Sequence, residues 1–154
     1  MSHSRIFQVS QKPIEKADYI EDSNYWDHWF TRTLADYVAD SNREEDIEWL
    51  STARLKGIIF NKDEHGEFLI VIDKTAYFAN KYERFKAELE KANTMSLEEF
   101  SDWKATIWSL KDAYEDRYGF YMDEDDDLMT LDCFIRNCKT NVKYYIGGTV
   151  DYHC

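Results

Sequence analysis

The chain of 154 residues contains little proline and glycine, with one proline and five glycines. Disordered and low-complexity chains are rich in these residues, so the composition argues against both classes. The sequence also lacks an internal repeat and a Ser- or Pro-rich linker that would mark a domain boundary. We therefore predict a single globular domain over residues 1–154.

Long apolar stretches and positive charges are also scarce. No run approaches the roughly 20 apolar residues that a membrane-spanning helix needs. The start, MSHSRIFQVSQKP, lacks the apolar segment and cleavage site of a signal peptide. With 19 Lys and Arg against 31 Asp and Glu, the net charge is −12, which repels phosphate backbones and anionic membrane surfaces. The sequence predicts a cytoplasmic protein with no membrane partner and no direct nucleic acid partner.

Cysteine is sparse, and its three positions, Cys133, Cys138 and Cys154, do not form a disulfide framework. Together with His153 they have the ligand types of a Cys₃His zinc site. The spacing of five residues between Cys133 and Cys138 turns their side chains apart on a helix or a strand, which argues against that site. The sequence predicts no metal and no cofactor, and it leaves open whether these four residues approach one another.

Catalytic motifs are missing as well. The sequence has no nucleophile elbow, no HExxH pair, no phosphate-binding Gly-rich loop and no dinucleotide fingerprint. Cys–His pairs can be drawn among three cysteines and four histidines, but any chain with these numbers offers them. The sequence therefore favours a protein without enzymatic activity.

Apolar residues make up 44% of the chain and aromatic residues 16%, which is enough for a core. Their spacing predicts four helices in the first 120 residues, over 24–40, 41–57, 74–93 and 96–119. Asn24, Ser41 and Ser96 are the expected N-caps. The last two helices carry apolar stripes that we expect to face inward: Phe78, Tyr82, Phe85 and Leu89 on one, and Phe100, Trp103, Ile107, Leu110 and Tyr114 on the other.

Strand patterns occur between and after these helices. Residues 4–11 predict a first strand, residues 57–74 a hairpin whose polar turn ends at His65-Gly66, and residues 120–122 a brief strand. The pair Gly147-Gly148 predicts a final hairpin. The fold class is thus α+β, an antiparallel sheet of about five strands packed with four or five helices.

Residues 128–138 fit two patterns. As a strand, alternate residues such as Met129 and Leu131 would face inward, and as a helix the inward residues would be Leu128, Leu131, Ile135 and Cys138. Acidic residues precede this segment, and Arg136 and Lys139 lie at its end, an arrangement that suits a helix dipole. We favour the helix.

The segment YGFYMDEDDDLMTLDCF, residues 118–134, contains five consecutive acids, Asp123 to Asp127. It is no EF-hand, because Leu128 and Phe134 occupy the positions that need Gly and Glu. From Asp112 to Asp132 there are nine acids and one base, Arg117, so the local field is strongly negative. The simplest interpretation is a solvated loop before a helix. The functional interpretation is that the acids form a surface that occupies a basic nucleic-acid-binding groove of another protein.

Aromatic residues accompany the acids. Trp108 falls off the apolar stripe of its helix, and one of the adjacent pair Tyr144 and Tyr145 is expected to face outward. We predict a non-enzymatic domain that binds a protein with a basic surface, as inhibitors encoded by phages or mobile elements do when they mimic DNA. The alternatives are a small metal-dependent or hydrolytic enzyme using clustered carboxylates, and an oligomeric accessory protein. The predicted interaction residues are Asp123, Glu124, Asp125, Asp126, Asp127, Trp108, Tyr118 and Tyr121.

Overall fold

The computed structural model describes residues 2–102 and 106–154. In this part of the chain seven strands form one sheet, together with six α-helices and two short 3₁₀-helices, Lys16–Asp18 and Asp22–Tyr25. The strands are β1 (His3–Ser10), β2 (Tyr37–Asp40), β3 (Ile58–Asp63), β4 (Gly66–Val71), β5 (Tyr121–Glu124), β6 (Asp127–Thr130) and β7 (Lys143–His153). The helices are α1 (Trp29–Thr33), α2 (Arg43–Thr52), α3 (Lys74–Asn93), α4 (Leu97–Ser101), α5 (Thr106–Tyr114) and α6 (Leu131–Asn137).

The α+β class is confirmed, and the sheet is larger than the predicted five strands. Its order is β3-β4-β7-β1-β5-β6, with β2 also paired to β7. All pairs are antiparallel except β1 with β5, which run parallel. Strands β2 and β6, which like β5 have only four residues, raise the count, because each lies in a segment whose pattern also fits a helix. No helix in the described ranges is long and apolar enough to cross a membrane.

The predicted hairpin at Gly147-Gly148 is wrong, because both glycines lie inside the long strand β7. A Cβ on Gly148 would stand 2.6 Å from the carbonyl oxygen of Ile20, and one on Gly147 would stand 2.3 Å from Gln8 Oε1. Gln8 Oε1 accepts hydrogen bonds from the backbone N–H groups of Gly148 and Ile20, at 2.9 and 3.0 Å. The glycine pair therefore lets the connection after β1 lie directly on the sheet.

Strand β7 organises the sheet. One edge pairs with β1, and the other pairs with β4 near Tyr145 and with β2 from Val150 onward. Arg43 occupies the gap between β4 and β2, donating to the carbonyl oxygens of Gly147 and Ile146 at 2.6 and 2.8 Å. Its guanidinium also binds Glu67 Oε2 at 2.9 Å. A side chain thus satisfies the backbone acceptors that no strand reaches.

Both faces of the sheet are covered. One core includes Phe7, Leu50, Met122, Phe134 and Tyr144 beneath α2 and α6. The other includes Ile6, Tyr25, Phe30, Tyr121 and Tyr152 beneath the 3₁₀-helices and α1. Burying a side chain of this size contributes roughly 1.5–3 kcal/mol. Tyr144 and Tyr145 are both buried, so the prediction that one of them faces outward is wrong.

The helix predicted over 24–40 is wrong for most of its length. Only Trp29–Thr33 is α-helical, and its N-cap is His28, whose Nδ1 accepts from Phe30 N at 3.2 Å. Asn24 instead accepts from Glu21 N at 2.8 Å within the preceding 3₁₀-helix. The last four residues form β2, because the end of β7 offers them a pairing edge. Tertiary pairing overrides the helical spacing here.

Helix α2 begins one residue later than predicted. Its N-cap is Asn42, whose Oδ1 accepts from the backbone N–H groups of Glu44 and Glu45. The helix ends at Thr52 and not at Gly57. Arg54 follows in the left-handed region with φ 53, and Gly57 has φ 76. Leu50 is fully buried, as its place on the predicted inward face requires.

Helix α3 spans the predicted residues 74–93, and Ser96 caps the next helix as expected. The inward stripes are wrong: Tyr82, Phe100 and Ile107 are 59%, 75% and 54% exposed. Helices α3 and α5 pack on each other, with the rings of Phe85 and Tyr114 5.9 Å apart, and α3 has no fully buried residue. Trp103 of the predicted stripe lies outside the described residues.

The ambiguous segment contains both a strand and a helix. Strand β6 includes Leu128, and α6 begins after Thr130, whose Oγ1 accepts from Cys133 N at 3.1 Å. All four residues expected inward on the helix are buried: Leu128, Leu131, Ile135 and Cys138. They do not share one apolar face, because Leu128 packs in the core on one side of the sheet, whereas Leu131, Ile135 and Cys138 pack in the core on the other side.

Candidate functional site

The acid run forms the tip of a β-hairpin. Asp125 and Asp126 join β5 to β6 with φ values of 51 and 65, so both residues are left-handed. A two-residue hairpin turn of this kind favours Asn, Asp and Gly, because these residues tolerate positive φ. Two of the five acids therefore have a local structural reason to be there. The sequence pattern did not reveal this turn, since Asp-Asp is a weaker signal than Asn-Gly.

The side chains at this tip face solvent. Asp125, Asp126 and Asp127 are exposed and Glu124 is half-buried, and we call these four residues the acidic turn. Among the ion pairs of the described residues, none involves the acidic turn. Partial burial and the carboxylates of Asp125 and Asp127 raise the pKa of Glu124 above its ordinary value. The positive charge of Lys139 lowers this pKa by a smaller amount, so the turn carries concentrated negative charge that no direct ion pair in the described residues neutralises.

Two acids from elsewhere in the chain extend this surface. Glu15 and Asp18, beside the first 3₁₀-helix, line a recess of about 290 Å³ together with Asp123, Asp125 and Asp126. The segment that carries Glu15 and Asp18 is held on the sheet by Gln8, whose Nε2 donates to the carbonyl oxygen of Asp18 at 2.9 Å. Neither residue was predicted, because both lie far from the acid run along the chain and no pattern in the sequence relates them to it.

Two of the predicted interaction residues are in the interior. Asp123 is 5% exposed and accepts a hydrogen bond from Tyr25 Oη at 2.5 Å. Tyr121 is 4% exposed and donates to the carbonyl oxygen of Arg117 at 2.9 Å. Neither side chain is available to a partner of the folded chain. Both side chains are buried because β5 is covered on both faces, and Tyr121 and Asp123 point to the face that also carries Tyr25.

Burial raises the pKa of the Asp123 carboxyl above its ordinary value, and the hydrogen bond from Tyr25 offsets this only in part. The folded chain therefore holds this proton more tightly than the unfolded chain. The stability that the group contributes is complete below its unfolded pKa of about 4 and is lost as pH rises through the folded pKa.

We expect Tyr25→Phe to destabilise the fold by about 1–3 kcal/mol at pH 7, because a buried carboxylate loses its donor. The loss should be smaller near pH 3.5, where the carboxyl group of Asp123 is largely neutral in both states. Urea unfolding at the two pH values measures the difference. Tyr121→Phe is the matched control, since its hydroxyl donates to a neutral carbonyl and its cost should not change with pH. Equal pH dependence in both variants would contradict the role given to Asp123.

The remaining acids of the sequence segment do not join the acidic turn. Asp132 is 2% exposed, and its carboxylate accepts from Tyr77 Oη and Asp116 N, both at 2.7 Å. Glu115 accepts from Thr130 Oγ1 at 2.5 Å. These groups lie at the other end of the β5–β6 hairpin. The nine acids counted in sequence are therefore dispersed: four form the acidic turn, Asp123 is buried, Asp112 is exposed on α5, and Glu115, Asp116 and Asp132 accept hydrogen bonds at the base of the hairpin.

Trp108 and Tyr118 form a separate surface. They are 39% and 48% exposed, and the guanidinium of Arg117 lies 5.3 and 5.5 Å from their ring centroids. Tyr118 precedes β5 and Asp125 follows it, so the length of a four-residue strand, about 13 Å, separates them. Trp26, Trp29 and Trp49 are exposed as well. The structure does not combine the predicted aromatics and acids into one patch.

The carboxylates line the recess without converging. In the described part of the chain no three His, Cys, Asp or Glu side chains are arranged to hold a metal ion. The cysteines are also divided, since Cys138 packs in the core on one face of the sheet and Cys154 against the core on the other.

Comparison of the chain with protein-family models, curated proteins and solved structures finds no match.

Proposed function

We propose that this chain is a non-enzymatic binding domain that contacts a basic surface of another protein through the acidic turn, with Glu15 and Asp18 at its side. The observation that carries the proposal is the exposed tip with four consecutive carboxylates and no ion-pair partner among the described residues. Uncompensated charge of one sign steers a partner of opposite sign and adds specificity.

The chemistry of the turn also suggests the kind of surface that it would occupy. Closely spaced carboxylates on a rigid hairpin present negative charges much as a phosphate backbone does, whereas the net charge of −12 repels nucleic acid itself. A groove that binds nucleic acid through Lys and Arg fits both properties. In its sharper form the proposal is that this chain masks such a groove.

Replacing Asp125, Asp126 and Asp127 together by asparagine should weaken binding to the partner about tenfold or more, since three charges leave the contact. Asparagine tolerates positive φ as well as aspartate does, so the turn should keep its shape. The partner is first captured by cross-linking in the native host, and its affinity is then measured for both chains. The affinity of the unmodified chain should fall steeply between about 50 and 300 mM salt.

The matched control replaces Glu44, Glu45 and Glu48 by glutamine. These residues are exposed on α2, and the control removes the same three charges from another place. It should bind nearly as well as the unmodified chain. Equal loss in the two variants would indicate only a dependence on net charge, and unchanged binding of the asparagine variant would remove the proposal.

A further inference from the structure

A second candidate site lies at the end of the β5–β6 hairpin that is away from the acidic turn. The end of α2, the first turns of α3 and the segment from Asp116 to Phe120 enclose a cleft of about 460 Å³. Pockets for small molecules commonly have volumes of about 300–1,000 Å³. We call this cavity the basic cleft. It is independent of the acidic turn and of the function proposed for it.

The charge of the basic cleft is opposite to that of the chain. Arg54, Lys56 and Lys81 line it, against the acids Asp116 and Asp132. Both acids are engaged locally: Asp132 binds Lys81 at 3.1 Å, and Asp116 Oδ1 accepts from Tyr118 N at 3.0 Å. Arg54 and Lys56 are exposed, and neither side chain has a hydrogen-bond or ion-pair partner among the described residues. Arg54 and Lys56 therefore provide two unpaired positive charges at the opening of the basic cleft.

Aromatic rings form part of the wall. Trp49 is 42% exposed, and it is held by Arg5, whose Cζ lies 5.1 Å from the ring centroid, and by the edge-on ring of Phe120, also at 5.1 Å. Tyr118, 48% exposed, lines the same cavity. Fixed, partly exposed rings beside cations suit a ligand that has a flat ring and an anionic group.

Arg54 occupies a backbone position that favours glycine. It follows the end of α2 with φ 53, where a side chain costs stability and Gly is the common residue. The cost is not recovered by an internal contact, since no side-chain partner of Arg54 occurs in the described ranges. A left-handed residue whose charged side chain is unpaired at the opening of a cavity is a candidate for contact with a ligand.

We infer that the basic cleft binds a free nucleoside phosphate, with the base against Trp49 and Tyr118 and the phosphate at Arg54 and Lys56. The guanidinium of Arg54 suits phosphate oxygens, and Lys56 adds a second charge. A polynucleotide is disfavoured by the net charge of −12, whereas a single nucleotide carries few charges to repel.

The test is a titration with the four ribonucleoside monophosphates, followed by NMR of the tryptophan indole N–H signals, with Trp49→Phe identifying the signal of Trp49. At least one nucleotide should shift that signal saturably below about 1 mM. Inorganic phosphate and the parent nucleoside should each bind at least about tenfold more weakly. Phosphate alone cannot contact the aromatic rings, and the nucleoside alone cannot contact the two cations. No saturable shift with any nucleotide at about 10 mM would overturn the inference. Binding of a single-stranded RNA ten-mer without binding of a mononucleotide would also overturn it.

Arg54→Gly separates a ligand role from a structural one. Glycine relieves the positive φ, so the melting temperature should stay the same or rise by a few degrees, while nucleotide affinity should fall about tenfold or more. Lys62→Gln, which removes an exposed cation from β3, should leave the affinity unchanged. Unchanged affinity in Arg54→Gly, or an equal loss in both variants, would contradict the site.

Discussion

Replacing Gly57 by alanine is expected to lower the free energy of unfolding by about 2–4 kcal/mol. The residue has φ 76, and an added Cβ would stand 2.1 Å from the carbonyl oxygen of Asp73 and 3.0 Å from its carbonyl carbon. A left-handed conformation costs an L-residue about 1–2 kcal/mol, and overpacking adds about 1–3. Alanine also lowers the conformational entropy of the unfolded chain, which offsets about 0.4–1 kcal/mol of this destabilisation.

The clash cannot be relieved by turning a side chain, because the atoms that the methyl group meets are backbone. Gly57 O also accepts from the N–H groups of Ile72 and Asp73, at 2.8 and 3.2 Å, so a shift would disturb the junction of β4 and α3. Urea unfolding monitored by circular dichroism measures the decrease in the free energy of unfolding. Gly119→Ala is the control, since its Cβ meets only the carboxylate of Asp116, which can rotate, and it should cost less than about 1 kcal/mol. A cost below about 1 kcal/mol for Gly57→Ala would show that the close approach is wrong.

The second large effect is expected for Asp132→Ala, with a loss of about 2–4 kcal/mol. The buried carboxylate accepts from Tyr77 Oη and Asp116 N and pairs with Lys81, so it joins α3 and the turn after α5 to α6. Removing one partner of a buried pair costs about 3–5 kcal/mol. The side chain of Lys81 is 22% exposed and can regain some hydration, which reduces the loss.

A double-mutant cycle with Lys81→Met would measure the coupling of the pair in the same unfolding experiment. Asp112→Ala, which removes an exposed acid from α5, is the matched control and should change stability by less than about 0.5 kcal/mol. If Asp132→Ala costs no more than this control, the hydrogen bonds at the base of the hairpin do not hold the helices together.

Features fixed by local sequence were predictable. Helix α3 follows Asp73, which caps it by accepting from Ala76 N at 3.1 Å, and its 20-residue pattern gave the correct bounds. The β3–β4 hairpin was equally clear, because two β-rich runs flank a short polar turn. In both cases the strongest interactions join residues that are close in sequence.

The errors arose where distant residues decide the outcome. Tyr37–Asp40 has a helical pattern, but β7 pairs with it from more than 100 residues away. Gly147 and Gly148 fit a turn in sequence, and only the position of Ile20 shows that they permit a close approach. The apolar stripes of α3 and α5 predicted burial, whereas these helices cover each other only in part.

The same reason limits prediction of the candidate sites. Asp125 to Asp127 could be identified from the acid run, while Glu15 and Asp18 join them only through the fold. The basic cleft combines residues from five separate segments of the chain, including those of Arg54, Lys81 and Tyr118. No spacing in the sequence relates these segments, so neither its charge nor its aromatic wall could be anticipated.

The central position of β7 has a consequence for how the chain reaches its native state. Strands β1, β2 and β4 all pair with β7, which follows them and every other described strand in the sequence. During synthesis residues 143–153 leave the ribosome after β1, β2 and β4. Until then the backbone groups of these strands that pair with β7 have no hydrogen-bond partner. Long-range pairing of this kind makes the search for the native topology slow. A nascent chain is therefore most exposed to aggregation just before its last strand emerges.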